Sequence, residues 1–259
     1  MGHVLHAPVL VSFDVDGTLI KSVGEKANWL HREAFTHAFK QVCNLDTAIE
    51  VIKHHGSTDP LILIKVQEHH GISKKQAMAN LPALEQSMVD HFLAHKERAG
   101  EGLELLPGVL DLLKALKTRA ISRCLVTGNL EPIAWAKMEA LGVAELFSQP
   151  RFGGFGSDFC SGNTEESWMD RAELVRIANR KAQAQSGGVP DDLSLPINSW
   201  HVGDAPPDVK AAALARVKAL GVSTGIYTEA ELKEAQPDAL VLDSLQDLAN
   251  VLRALGASS

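Results

Sequence analysis

The sequence predicts an α/β fold: a doubly wound, Rossmann-like parallel sheet with an all-helical domain inserted after its first strand. Three observations carry this expectation. Short β-branched and aliphatic runs alternate with amphipathic helical patterns, the arrangement of βαβ units. That alternation stops between residues 21 and 102, where strand-like runs are scarce and helical spacing dominates. A chain of 259 residues is also long enough for two modest units, each with its own core. The expected organisation is therefore an α/β core built from residues 1–20 and 103–259, with residues 21–102 forming the helical domain.

The first strand is VLVSF, residues 9–13, an unbroken apolar run of the kind buried on both faces. Further strands are expected at 121–128, 199–204, 217–222 and 239–243. Helices are expected at 108–119, where Val109, Leu112, Leu113 and Leu116 share a face, and at 131–143, which ends at Gly142. Two more are expected at 170–185 and 208–217. Within the insert, EKANWLHREAFTHAFKQV (25–42) carries Ala27, Leu30, Ala34, Ala38 and Val42 on one face. The segments 58–71 and 74–100 complete its helices, and the crossings should fall near Lys21–Gly24 and Gly100–Gly102. SGGVPDDLSLP (186–196) reads as a surface loop and QPRFGGFGSDFCSGN (149–163) as a flexible glycine-rich one. The latter lacks the G-x-G-x-x-G spacing of a dinucleotide site.

Composition excludes several classes. A net charge of −7 argues against a nucleic-acid partner held by bulk electrostatics. The hydrophobic share of 45% and charged share of 22% are ordinary for a globular protein. Cys43, Cys124 and Cys160 form no CxxC pair, which fits a reducing, cytoplasmic setting better than a disulfide framework. No apolar run reaches the ~18 residues of a membrane span, and MGHVLHAPVL lacks the pattern of a secretory signal. A monomer or homodimer is expected.

In a doubly wound sheet, ligands bind beyond the carboxyl ends of the strands. Asp14, Asp16, Gly17 and Thr18 follow the first strand; Thr127, Gly128 and Asn129 end the second; Gly203, Asp204 and Asp208 follow the strand that ends near Val202. Singly, each piece reads as an ordinary turn or helix start. Together, at successive strand ends, they gather carboxylates along one edge, and an all-oxygen donor set suits Mg²⁺. Asp14 and Asp16 lie two residues apart, so an extended chain turns both side chains the same way. One carboxylate can then attack a phosphorus centre while the other handles protons. Thr127 and the backbone N–H groups at 15–18 and 128–129 can hold phosphoryl oxygens.

DVDGT (14–18), LVTGN (125–129) and GDAPPDV (203–209) resemble the first, second and fourth motifs of the haloacid dehalogenase superfamily. GSTDP (56–60) resembles a turn in the helical C1-type caps of its phosphoglycolate phosphatase-like branch. The resemblance implies that Asp14 is the nucleophile and Asp16 the general acid and then base. It also implies that Thr127, with Asn129, binds the phosphoryl group, and that Asp204 binds Mg²⁺. Asp208 would support the metal or a nearby cation, and Asp16 would offer the metal its backbone carbonyl. The family's cationic third motif, usually a lysine, has two candidates here, Arg171 and Lys181. Arg171 suits the bridging of carboxylate and phosphate.

These readings imply a Mg²⁺-dependent phosphatase for a small phosphorylated metabolite, of phosphoglycolate or sugar-phosphate type. The alternatives are a sugar phosphomutase and a non-catalytic binding protein on the same fold. Asp16 argues against carbon–halogen displacement, which needs no leaving-group acid. Substrate selection is expected from Gly17, Thr18, Gly128 and Asn129 in the core. In the cap it is expected from Trp29, His31, Arg32, Ser57 and Thr58.

Overall fold

Strand β1 (Leu10–Phe13) is buried along its whole length because it lies inside a six-stranded sheet. A computed structural model describes residues 10–185 and 198–258; the loop expected at 186–196 and the residues before Leu10 lie outside them. The other sheet strands are β4 (Ser122–Thr127), β5 (Gly153–Phe155), β6 (Ser199–Gly203), β7 (Lys218–Val222) and β8 (Leu240–Leu242). They run in the order β5-β4-β1-β6-β7-β8, with every neighbouring pair parallel. From β1 the chain fills the sheet first towards β5 and then towards β8, so the crevice where it switches direction opens between β4, β1 and β6.

Side-chain alternation assigns the two faces. Val11 and Phe13 join a cluster with α4 (Val109–Thr118), α5 (Glu131–Ala140) and α9 (Leu248–Leu255). Leu10 faces the opposite layer, made by α6 (Ser167–Gln185) and α7 (Pro206–Leu214). Helix α8 (Glu229–Ala235) precedes β8. Helix α6 begins three residues ahead of the expected Asp170, so Arg171 sits in the second turn.

The glycine-rich stretch expected as a flexible loop contains strand β5, a correction with a steric cause. A Cβ on Gly154 would collide with the Leu174 carbonyl of α6. The glycines there permit close strand–helix approach, and two of the three residues of β5 being glycine removes the apolar signal of a strand.

Between β2 (Ile20–Ser22) and β3 (Leu103–Leu105) the chain forms α1 (Trp29–Cys43), α2 (Asp59–His69) and α3 (Lys74–Ala94). These two strands pair as an antiparallel ribbon. Lys21, Ser22 and Glu104 interrupt their apolar character, which hides such short strands from pattern reading. Phe35, Phe39 and Phe92 anchor the helical cluster, and each contributes roughly 2–3 kcal/mol by burial. Leu130, Ile133 and Ala136, at the start of α5, pack into the same cluster and tie the helices to the sheet layer. Helices α2 and α3 start at hydroxyl caps: Thr58 accepts from Leu61 N and Ser73 from Gln76 N.

On the outer side of the insert, His37 of α1 stacks on His91 of α3 at 4.3 Å, and His95 lies 4.6 Å beyond. Burial and the neighbouring His37 hold His91 below the ordinary imidazole value of 6.5, with Glu33 opposing and His95 adding to the shift. The unfolded chain therefore takes up the proton first as pH falls. Stability from this site is complete above about 6.5 and declines below it. Thermal unfolding should show Tm lower at pH 5 than at pH 7 by roughly 2–4 °C more in the wild type than in His91→Phe; equal slopes would show that the stack is inert.

Candidate active site

The carboxyl ends of β1, β4 and β6 converge on a cavity of about 480 Å³. Its core wall includes Asp14, Asp16, Gly17, Thr127, Gly128, Asn129, Arg171 and Asp204. The helical insert supplies the facing wall, with Asn28, His31, Arg32, Phe35 and Ile49, and the turn at His54–Ser57. Lys21 and Tyr227 also reach it.

Asp14 is 5% exposed and follows the end of β1 directly; its backbone N–H donates to the Val202 carbonyl of β6 at 2.9 Å. Arg171 Nη1 donates to Asp14 Oδ1 at 2.9 Å and lies 2.8 Å from Asp208 Oδ1. One buried guanidinium thus ties the first-strand carboxylate to the start of α7. Lys181, the other candidate for this cation, lies farther along α6, where its ammonium pairs with Asp158 at 3.0 Å and stays 37% exposed. Ten residues after Arg171, it falls on a different part of the helix, away from the cavity wall.

Asp14, Asp204 and Asp208 place carboxylate oxygens within 4.8 Å of one another. Burial, partly offset by Arg171 and increased by Asp208, pushes Asp14 up to about 6. Burial together with the charges of Asp208 and Asp14 pushes Asp204 up to about 8. Asp208 goes the other way: burial opposes its charge, but Arg171 and His201 outweigh that and hold it below the usual carboxylate range. Three carboxylates share one guanidinium, so full ionisation leaves an excess of two negative charges. A divalent, oxygen-preferring cation matches both that charge and the donor type.

Asp16 occupies a different environment. Its carboxylate is 35% exposed and receives Lys137 Nζ at 3.0 Å on each oxygen, with Asn28 Nδ2 at 3.4 Å. Burial works against its charge, but the ammonium of Lys137 outweighs it and holds the carboxyl below its ordinary value. The two aspartates of the first motif are thus separated electrostatically, one pushed up and one held down.

The remaining expected residues divide. Gly17, Thr127, Gly128 and Asn129 line the cavity. A Cβ on Gly128 would strike the Ser57 carbonyl, and Asp59 N donates to Gly128 O at 2.8 Å, so the absent side chain is what lets the insert approach. Thr18 is fully buried and donates to Asp204 Oδ1 at 3.0 Å, which positions that carboxylate rather than a ligand. Trp29, 46% exposed at the start of α1, and Thr58, spent on capping α2, do not line the cavity. Arg32 does, with its guanidinium on Glu50 at 2.7 Å.

Sequence reasoning missed Lys137. Its signal was a lysine four residues after Ile133, on the apolar face of α5; such a residue is buried only when paired. Asp59, Thr224 and Tyr227 were missed as well, since only the folded chain brings them to the cavity.

The profile of haloacid dehalogenase-like hydrolases matches residues 9–216. A phosphoglycolate phosphatase of Pseudomonas putida is 27% identical over 242 residues, covering 93% of this chain and 78% of the relative. One from Rhodospirillum rubrum is 30% identical over 224 residues, covering 86% and 82%. Among solved structures, a hydrolase from Pseudomonas syringae superposes with a TM-score of 0.61 at 21% identity, covering 96% of this chain and 99% of that one. A Bacteroides vulgatus structure with the provisional assignment β-phosphoglucomutase gives 0.59 at 18%, covering 97% and 90%. The sheet, the strand-end carboxylates and these likenesses agree: the chain belongs to the haloacid dehalogenase-like hydrolases, on the phosphatase side of that family.

Proposed function

We propose that the protein is a Mg²⁺-dependent phosphatase that hydrolyses a small phosphorylated metabolite, of phosphoglycolate or sugar-phosphate type, through an aspartyl-phosphate on Asp14. The observation that carries this reading is the opposite treatment of two carboxylates two residues apart. Asp14 lies among acids beside Arg171, whereas Asp16 is held by Lys137. Pairs of acids in contrasting environments divide nucleophilic and proton-transfer roles.

In the first half-reaction a carboxylate oxygen of Asp14 attacks phosphorus, the ester P–O bond breaks, and the leaving oxygen takes a proton from Asp16. Asp16 must carry that proton when the substrate binds, and the negative charge of a nearby phosphoryl group favours its protonated form. In the second half, ionised Asp16, stabilised by Lys137, removes a proton from the water that attacks the phosphoryl group. Phosphate leaves and Asp14 is regenerated. Asp14, Asp204, Asp208 and the Asp16 carbonyl are the groups that would hold Mg²⁺, which supplies charge neutralisation between carboxylate and phosphoryl oxygens. Arg171 keeps Asp14 oriented, Thr127 and the 128–129 backbone bind phosphoryl oxygens, and the insert excludes bulk water.

The test is phosphate release from a panel of phosphoglycolate and sugar phosphates, with Mg²⁺ and with EDTA. Mg²⁺-dependent release is expected. Isomer interconversion without release would replace this reading by a phosphomutase, and an inert panel together with no Mg²⁺ binding would overturn it.

A further inference from the structure

Lys137 is the only lysine among the described residues with no exposed surface, and it lies outside all the sequence motifs that identify the site. Its ammonium has three protons and no acceptor capacity. All three find use: Nζ meets the Asp16 carboxylate at 3.0 Å, Asn129 Oδ1 at 2.8 Å and His31 Nδ1 at 3.2 Å. Because the lysine can only donate, Nδ1 of His31 accepts and the ring proton sits on Nε2. Nε2 in turn meets Asp59 Oδ2 at 3.0 Å, and that oxygen also accepts from Leu130 N at 3.1 Å, at the N-terminus of α5.

The chain of contacts therefore closes on itself. It leaves α5 at Lys137, crosses to α1 through His31, passes to α2 through Asp59, and returns to the first turn of α5. His31 and Asp59 are 5% and 3% exposed. A buried polar network of this kind holds its members to one geometry, because any unmatched group would bear its full desolvation cost. Two of the links join the helical insert to the sheet layer, and one end of the network holds the acid/base carboxylate.

We infer that Lys137 is a positioning residue for Asp16, and that the His31–Asp59 pair makes this positioning depend on the seating of the insert. The inference rests on the phosphatase reading above, in which Asp16 protonates the leaving oxygen. With the insert docked, Lys137 is fixed from the far side by His31 and presents Asp16 towards the ester oxygen. With the insert displaced, Lys137 loses one of its three acceptors and the proton donor loses its fixed aim. The general acid is thereby assembled only over a covered substrate.

The experiment compares wild type, Lys137→Met, Lys137→Arg and His31→Ala on aryl phosphates with Mg²⁺, from p-nitrophenyl phosphate, whose leaving group needs no acid, to phenyl phosphate, whose leaving group does. Lys137→Met should lose only a few-fold in kcat/KM on p-nitrophenyl phosphate and on the order of 10² on phenyl phosphate, the range that general acid catalysis contributes. Lys137→Arg should recover part of the phenyl phosphate loss. His31→Ala should show the same leaving-group selectivity more weakly, and the double variant should be no worse than Lys137→Met alone. An equal loss on both esters would make Lys137 merely structural and overturn the inference; additive losses would overturn the link to the insert. If Lys137→Met does not fold, His31→Ala, which leaves the lysine and its other acceptors in place, gives the same readout. A wild type that releases phosphate from neither these esters nor the phosphoglycolate and sugar-phosphate panel fails the phosphatase reading itself and takes this inference with it.

Discussion

Arg171→Leu is expected to destabilise the protein by about 3–5 kcal/mol, the cost of removing one partner from a buried charge cluster. The guanidinium is 3% exposed and touches both Asp14 and Asp208, themselves 5% and 1% exposed. Asp208 lies behind the cavity wall, so water cannot replace the guanidinium there. Leucine fills most of the volume, so the loss is electrostatic rather than a cavity effect. Urea unfolding in EDTA measures it, and Mg²⁺ should restore part of the loss by supplying positive charge to the same carboxylates. A change below about 1 kcal/mol would show that the acids are solvated or protonated and that Arg171 does not hold them together.

Asp14→Asn should behave in the opposite way. Turnover is expected to fall by at least about 10⁴-fold, because the amide cannot form the acyl-phosphate. Stability in EDTA should rise at neutral pH. The folded chain raises Asp14 to about 6 from an ordinary 3.8, so the folded state prefers the neutral form. Whatever Asp14 contributes to stability is present in full below about 4 and is lost as pH rises through about 6. At pH 7.5 the charged acid is therefore a liability, which asparagine removes while still accepting from Arg171. The gain should be on the order of 1 to 3 kcal/mol at pH 7.5 and vanish near pH 4. Loss of both activity and stability at pH 7.5 would show that Asp14 is a structural ion-pair partner of Arg171. Retained activity would remove it as the nucleophile.

The contrast between these variants separates two kinds of knowledge about the site. The acids at strand ends were legible because β1, β4 and β6 are short, mainly apolar runs that alternate with helical patterns, and the residue following such a run must stand at the sheet edge. Asp14, Thr127 and Asp204 needed only that rule and the parallel order of strands. The choice of Arg171 over Lys181 was not legible in the same way. Both lie on α6, and only the packing of that helix against β4 and β5 turns one of them towards Asp14 and the other towards Asp158.

Local pattern by itself determined the alternation of strands and helices, the helical character of the stretch that lies between β2 and β3, and the carboxylates at the strand ends. These follow from periodicity and from short-range backbone preference, which act within a few residues. The tertiary structure alone decided the short strands β2, β3 and β5, which, unlike β8, do not sit in an apolar run bounded by polar residues. It also decided the meeting of Lys137 with Asp16, 121 positions apart, and of Leu130 with Asp59, 71 apart. It turned Trp29 and Thr58 away from the cavity and brought Tyr227 to it. Such contacts have no local signature. They form because burying the apolar faces of α1, α2 and α5 in one cluster leaves His31, Asp59 and Lys137 little access to water, and each then finds its partner in the others.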